Sequence, residues 1–562
     1  AKAAELDLRQ VLEAEPTNKR ALERLHALGL RSGDTALARV SLERLAEYEA
    51  DPVARTDFQL RLAELLRETG DEAGRVRALV DAVVTAPHEP RAWSGLVSCF
   101  KSETEQGAAA LAQAIEQVLE LARVRRRAAE PRWLLTLGLL EINVLKRPTE
   151  GLAHLTTAAT TASTSPSGTP VAPHPELRAG LGLGLLGAGR NREAVQTLRE
   201  LLTQDAETLL RLAEPSSYSQ VKGATVAATG TVLSAVLACL DAALATEGRA
   251  EERLAVEEVR AALGELANDR LVQLRKRRLD PEAPFAGALA ASEIVRVLVP
   301  DARSPLVDVA LAVAPIAAKA LRFELSSLGI GSRERIGPRD GHPTRALADR
   351  IARALGIEQF ELYLTPSWQG AVRVYPGDPP ALVGPIGFAE LPESEQVFAL
   401  GRLLTRVALG VSWLDEIPTE IADAFLLAAL RSTAPAFASN ALAAPREHAT
   451  SNLLPGVQRA MGRRQRKQLE ELLAQGQVSH DYDMRAFSIA VRRSEYRAAY
   501  VLSGNLLAGL DYLRRVDADI ARAHDQPKLY LQHPVTNELL RWTLSAEAFA
   551  ERRRVGAVFV QR

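Results

Sequence analysis

The chain has 562 residues, 47% hydrophobic and 25% charged, a composition that builds buried cores and excludes a globally disordered protein. Its length suggests about three to five domains or a repeat array. Basic and acidic residues nearly cancel, 69 against 70, so no field of one sign draws the whole molecule to nucleic acid or to an anionic membrane.

The chain opens on AKAAELDLRQ, already helical and without an initiator Met, which leaves room for an upstream segment. Three pieces then place a proline between helical patterns: EPTNKRAL (15–22), ADPVARTD (50–57) and APHEPRAW (86–93). Pro16, Pro52 and Pro87 are 36 and 35 residues apart. Between them, RSGDTALA and RETGDEAG carry Gly-Asp pairs suited to end one helix and start the next. Each period reads as helix, Gly-Asp turn, helix, Pro. A helix pair of this length cannot bury its apolar stripe alone and needs stacked neighbours. In its period, its alternation of small and large residues and its closing Pro, the pattern resembles the tetratricopeptide repeat. The copy LRAGLGLGLLGAGRNREAVQTLRELL (177–202) matches it best. A plain helical bundle is the competing reading for residues 1–215.

TTASTSPSGTPVAPHP (160–175) is expected to be a long surface loop. ATVAATGTVLSAVLACL (224–240) is short for a membrane span and reads as a buried helix. Cys239, within it, and Cys99 both sit in apolar runs and read as buried thiols; two cysteines make neither a disulfide framework nor a four-ligand zinc site. Residues 216–345 continue with helical patterns and no clear repeat. IGSRERIGPRDGHP (330–343) is glycine-rich and charged, but lacks the GK[ST] ending of a phosphate loop and reads as structural.

The β signals lie at FELYLTPSW (360–368), GAVRVYPG (370–377) and PPALVGP (379–385), predicting three short strands in a local α+β unit. After them, Pro392, Glu393 and Glu395 favour a helix start, and Val397, Leu400, Leu404, Val407 and Val411 form its apolar stripe. Over roughly 346–430, the order in PPALVGPIGFAELPESEQVFALGRLLTR resembles the gluzincin-type zinc metallopeptidases, the class that contains relatives of the CAAX-processing peptidase. There two strands and an acidic helix start precede a zinc helix with HExxH. The resemblance puts Arg402 and Arg406 in the places of the two histidines and Leu403 in that of the glutamate. It puts Thr419 in the place of the third ligand, with Glu420 one residue away. Arginine has no lone pair for a metal and leucine cannot be a base, so the module is expected to be degenerate. Helical spacing sets Glu395, Arg402 and Arg406 on one polar face. They are the candidate interaction residues, on a solvated or ion-paired face or against a carboxylate from a partner or from elsewhere in the chain.

Other chemistry has little foothold. SHDYDMR (479–485) offers His480, Asp481 and Asp483 as a possible small metal cluster, with a polar loop as the simpler reading. Basic clusters occur at RVRRR (123–127), RKRR (275–278), GRRQRK (462–467) and ERRR (551–554), scattered and without interleaved aromatics. The second of the helical patterns after about 441 is long enough for a break at Gly504 or Gly509.

The sequence thus predicts a mostly α chain: a tetratricopeptide-like α-solenoid (1–215), a helical connecting region (216–345), a small degenerate metallopeptidase-like α+β module (346–440) and a helical C-terminal region (441–562). The expected role is a non-catalytic protein-binding scaffold or assembly subunit, cytoplasmic and of bacterial type. Its partners are other proteins, in an oligomer or larger complex, with no catalytic residue, cofactor, metal or membrane span. The alternatives are a metal-dependent peptidase with an atypical site and a nucleic-acid-associated protein acting through its arginine clusters.

Overall fold

The Gly-Asp pairs end one helix and start the next. Gly33 adopts a left-handed φ of 74°, and Asp34 accepts a hydrogen bond from the Leu37 amide at 2.9 Å. Gly70 (φ 77°) and Asp71, which accepts from the Gly74 amide at 2.8 Å, repeat the device. Pro52 and Pro90 each stand in a first helical turn, where the missing N–H costs nothing.

The computed structural model describes residues 2–161, 163–164, 170–171, 174–216, 221–226, 230–279, 288–438, 443–476, 478–479, 481–524, 526–556 and 559–560. It is mostly helical, with one three-stranded sheet, and it divides into two compact units, residues 1–201 with 211–248 and residues 202–210 with 249–562.

In the first unit, α1 (Lys2–Ala14), α2 (Lys19–Ser32), α3 (Thr35–Tyr48), α4 (Pro52–Glu68), α5 (Glu72–Thr85), α6 (Pro90–Ser98) and α7 (Glu105–Val124) follow in series. The pairs α2/α3 and α4/α5 pack within themselves, and α3 packs on α4 to join them. Helices α8 (Pro131–Asn143), α9 (Pro148–Thr160) and α10 (Pro175–Gly187) form a tight cluster. Within the expected loop, β1 (Ser163–Thr164) pairs with β2 (Pro170–Val171), and half of its residues lie outside the described ones. Then come α11 (Asn191–Thr203), α12 (Ala206–Leu212), where the chain crosses from the 202–210 segment back to the first unit, and α13 (Val232–Thr246).

Cys239 is buried in α13, and burial pushes its thiol up to about 12. Cys99 departs from expectation: it caps the C-terminal end of α6 and is only partly buried. Among the described residues no helix is long and apolar enough to cross a membrane.

In the second unit, α14 (Ala250–Ala262), α15 (Asn268–Arg275), α16 (Pro305–Ala320) and α17 (Pro343–Ala354) precede the sheet; β3 (Arg278–Leu279) pairs with β7 (Phe559–Val560). The sheet has the order β4 (Glu361–Thr365), β6 (Ala381–Pro385), β5 (Arg373–Tyr375), with β6 parallel to β4 and antiparallel to β5. The 330–343 loop braces it: the Ile336 amide donates to the Leu362 carbonyl at 2.8 Å, and Glu334 accepts from the Thr365 hydroxyl at 2.5 Å. After the sheet run α18 (Glu393–Ala408), α19 (Thr419–Thr433), α20 (Ala444–Ala460), α21 (Arg463–Ala474), α22 (Met484–Ser503) and α23 (Leu506–Val516). The break between the last two falls at Gly504, whose φ is 57°.

Where helices approach most closely, side chains shrink to hydrogen. A Cβ on Gly138 of α8 would lie 2.7 Å from the Gly151 carbonyl oxygen of α9 and 2.7 Å from Leu155 Cγ. Gly138→Ala is therefore expected to separate α8 from α9 and to destabilise the protein by about 1–3 kcal/mol through overpacking. Chemical denaturation checks this, and an unchanged midpoint contradicts the close crossing.

Candidate functional site

The helix α18 is buried on nearly every side, packing on α17, α22 and α23. Close approach to α22 depends on Gly401, whose added Cβ would sit 3.3 Å from Ala499 Cα. Phe398 fills the adjoining space between Tyr496 and Tyr512, at centroid distances of 6.3 and 6.4 Å. A helix so enclosed leaves its polar side chains little water, so each must find a partner inside the protein.

Arg406 finds two. Its Nη2 donates to Glu495 Oε1 of α22 at 2.9 Å, its Nε to Glu495 Oε2, and its Nη1 pairs with Asp415. Arg402 shares the same carboxylate: its Nε is 3.2 Å from Glu495 Oε1, an ion-pair contact too oblique for a hydrogen bond. Arg402 Nη1 donates to the Tyr496 hydroxyl at 3.3 Å, and the guanidinium lies 5.2 Å from the centre of that ring. Side-chain exposure is 0% for Glu495, 6% for Arg406 and 17% for Arg402, so this is a desolvated cluster and not a solvated face.

Glu395, placed by the sequence on the same polar face, has a separate partner. It is buried, and Arg515 of α23 donates to it at 2.9 Å. The three candidates therefore make two ion-pair systems, and only Arg402 and Arg406 meet at one carboxylate.

Asp415 is the outer member of the cluster, with a side chain 28% exposed that also accepts from Arg492 at 3.1 Å. Burial alone would raise its carboxyl, but Arg406 and Arg492 hold it below the ordinary carboxylate range. The neighbouring Glu416 moves the other way: burial outweighs the pull of Arg373, 4.0 Å away, and raises it. The loop bearing both is anchored by Trp413, fully buried, which donates to the Gly410 carbonyl at 2.9 Å and meets Phe425 edge-on at 5.1 Å.

Arg402, Arg406, Asp415, Glu416 and Arg492 border a cleft of about 440 Å³ bounded by β5, α18, α22 and the segment leading into α19. Leu403 and Thr419 line it, whereas Glu420 is exposed and does not. Nitrogen donors already committed to carboxylates, a leucine and a threonine offer no metal ligand set. Among the described residues no group of three or more His, Cys, Asp or Glu is placed to hold a metal. His480 lies outside the described residues, and Asp483 is occupied as the N-cap of α22, accepting from the Arg485 amide at 2.8 Å.

Sequence reasoning singled out the arginines and missed Glu495, Asp415 and Tyr496. A signal for Glu495 was present: it stands in the apolar stripe of α22, with Val491, Ala498, Ala499 and Leu502 at helical spacing around it. A carboxylate in a core stripe requires a cation.

Two outcomes follow from the cluster. Glu495→Gln leaves two buried guanidinium groups beside each other and is expected to cost about 3–5 kcal/mol. Urea denaturation read by tryptophan fluorescence measures it, and a loss below about 1 kcal/mol contradicts a buried cluster. Asp415→Asn should destabilise at pH 7 by about 1–3 kcal/mol. Because the folded pKa of Asp415 is below its ordinary 3.8, its contribution is present above that value and is lost as pH falls through the folded one. The gap between wild type and variant should accordingly close on acidification below about pH 4; a gap that persists there contradicts the assignment.

Scanned against protein-family models the chain matches none, and a search of curated proteins finds no match.

Proposed function

We propose that this chain is a non-catalytic scaffold that binds other proteins, with the serial helix pairs of the first unit forming a tetratricopeptide-like solenoid whose groove takes a helix or an extended peptide. The observation that carries the reading is a groove of about 670 Å³ among α1, α2 and α3, floored by Leu12, Leu22 and Leu25 and flanked by Arg9, Glu13 and Arg44. Val40 and Tyr48 line it and remain 47% and 43% exposed. An apolar floor with a mixed charged rim suits a peptide that buries a few side chains and pairs its charges at the edge.

The second unit fits the same role on a frame resembling a zinc peptidase. The positions that the resemblance assigns to metal and base hold Arg402, Leu403 and Arg406, and the arginines are bound to Glu495 and Asp415. A guanidinium held by two carboxylates is a cross-link, which supports a binding role for the adjoining cleft in preference to hydrolysis.

The groove is tested by affinity purification of the wild type and of Val40→Glu with Tyr48→Ala, followed by identification of what co-purifies. A partner held by the wild type is expected to be lost from the variant while the melting temperature is kept; a partner retained by the variant overturns the reading. Metal analysis of the same preparation is expected to show no stoichiometric zinc, and zinc accompanied by peptide hydrolysis would replace the scaffold with the enzyme.

A further inference from the structure

The four basic clusters of the sequence meet different fates. In 123–127, Arg123 pairs with Glu120 at 2.7 Å, Arg125 with Asp81 at 2.5 Å, and Arg127 donates to the carbonyls of Val84 and Thr85. In 275–278, Arg275 pairs with Asp511 at 2.7 Å and Arg277 with Glu258 at 3.0 Å. In 551–554, Arg553 reaches Glu252 at 3.3 Å and Arg554 reaches Glu551 at 2.9 Å. The 462–467 cluster differs: Arg463, Arg464 and Arg466 are exposed and make no ion pair among the described residues, and Lys467 reaches only Glu471, at 3.7 Å.

This run opens α21, whose first turn contains no acidic residue. Positive charge there opposes the helix dipole and is unfavourable where it is not otherwise compensated. The chain enters that turn from the end of α20, whose Arg459 borders a pocket of about 570 Å³. Lys319, in the last turn of α16, and Arg322, just beyond it, border the same pocket, and no Asp or Glu does. All three cations are exposed and make no ion pair among the described residues. Leu321, Ile417, Ile421 and Leu453 supply apolar lining. The dipoles of α16 and α20 explain Lys319 and Arg459; they do not explain Arg322 or the run in α21.

We propose that this pocket and the adjoining basic turn form a docking site for an acidic segment of a partner protein that inserts one apolar side chain as its anchor. Charge complementarity selects the acidic segment, since three cations border the pocket and four more follow Arg459 in the chain, and among the described residues only Glu471 makes an ion pair with any of the seven. The apolar lining selects a peptide over a nucleic acid, because no aromatic side chain lines the pocket to stack on a base. Concavity selects it over a membrane surface, which is engaged by protruding apolar residues. The site lies wholly in the second unit and does not depend on the first-unit groove.

The test is fluorescence anisotropy of the full chain with a labelled nine-residue probe peptide of Asp and Glu carrying a central Leu, at about 50 and 200 mM salt. The peptide should bind, more weakly at the higher salt, and its Leu→Ser form should bind less. Lys319→Glu with Arg322→Glu and Arg459→Glu, all at exposed positions, should weaken binding about tenfold or more. Arg463→Glu with Arg464→Glu should weaken it as well, and keeps the test available if the triple variant loses its native melting transition. Unchanged affinity in the folded variants overturns the proposal. So does failure of the peptide to bind, or binding of single-stranded oligothymidine or phosphatidylserine vesicles in its place.

Discussion

The second unit depends on one buried carboxylate. Glu495 is fully enclosed, and two guanidinium groups from α18 close on it while Asp415 takes the remaining donor of Arg406. Desolvating a carboxylate and two arginines costs several kcal/mol per ion, and only close, hydrogen-bonded geometry offsets it. The bidentate contact of Arg406 on Glu495 provides that geometry. Its effect is as much specificity as strength: α18 cannot slide or rotate on α22 without stranding a charge, so the register of the two helices is fixed.

The same solution recurs deeper in the unit. Glu258 of α14 is buried, accepts from Arg277 at 3.0 Å and from the Leu506 amide at the start of α23 at 3.1 Å. Burial pushes its carboxyl above the usual range despite the pull of Arg277 and Arg552, so this group favours folding most at low pH, and its contribution declines as pH rises through the folded pKa. In the first unit, Gly138, Gly151 and Gly184 give way to Leu155, Ile142 and each other's backbone, beside buried Glu141, which pairs with His154 at 2.7 Å.

What could be read from the sequence depended on how far apart along the chain its signals lie. Helix pairs of the first unit were legible because their signals are local: Gly33 and Asp34 are adjacent, and a proline recurs about every 36 residues. The strands at 361–365, 373–375 and 381–385 were legible for the same reason, bounded by Pro and Gly on a short stretch of chain. The carboxylate that Arg402 and Arg406 share was not, because it comes from a helix 89 residues beyond Arg406 and no period links the two. Helical spacing set Glu395 with the arginines on one face, yet could not show that Arg515, from a different helix, would hold it. Charge counting fared similarly. Four basic clusters look alike in sequence, and only the packing shows that Arg463, Arg464 and Arg466 of one of them make no ion pair among the described residues.

Arg406 also clarifies what a buried cross-link does at this position. Through Glu495 and Asp415 it joins α18 and the loop that follows it to α22, whose Glu495 lies 89 residues further along the chain. A metal ion held by side chains from separate elements would join such segments too, but its strength would vary with metal supply and with the protonation of its ligands. Arginine stays charged at any pH the protein meets, and Asp415, held below the ordinary carboxylate range by Arg406 and Arg492, is the partly exposed member of the cluster. The cross-link is therefore anchored at its core by Arg406 on Glu495, and at its rim Asp415 and Arg492 border the cleft of about 440 Å³.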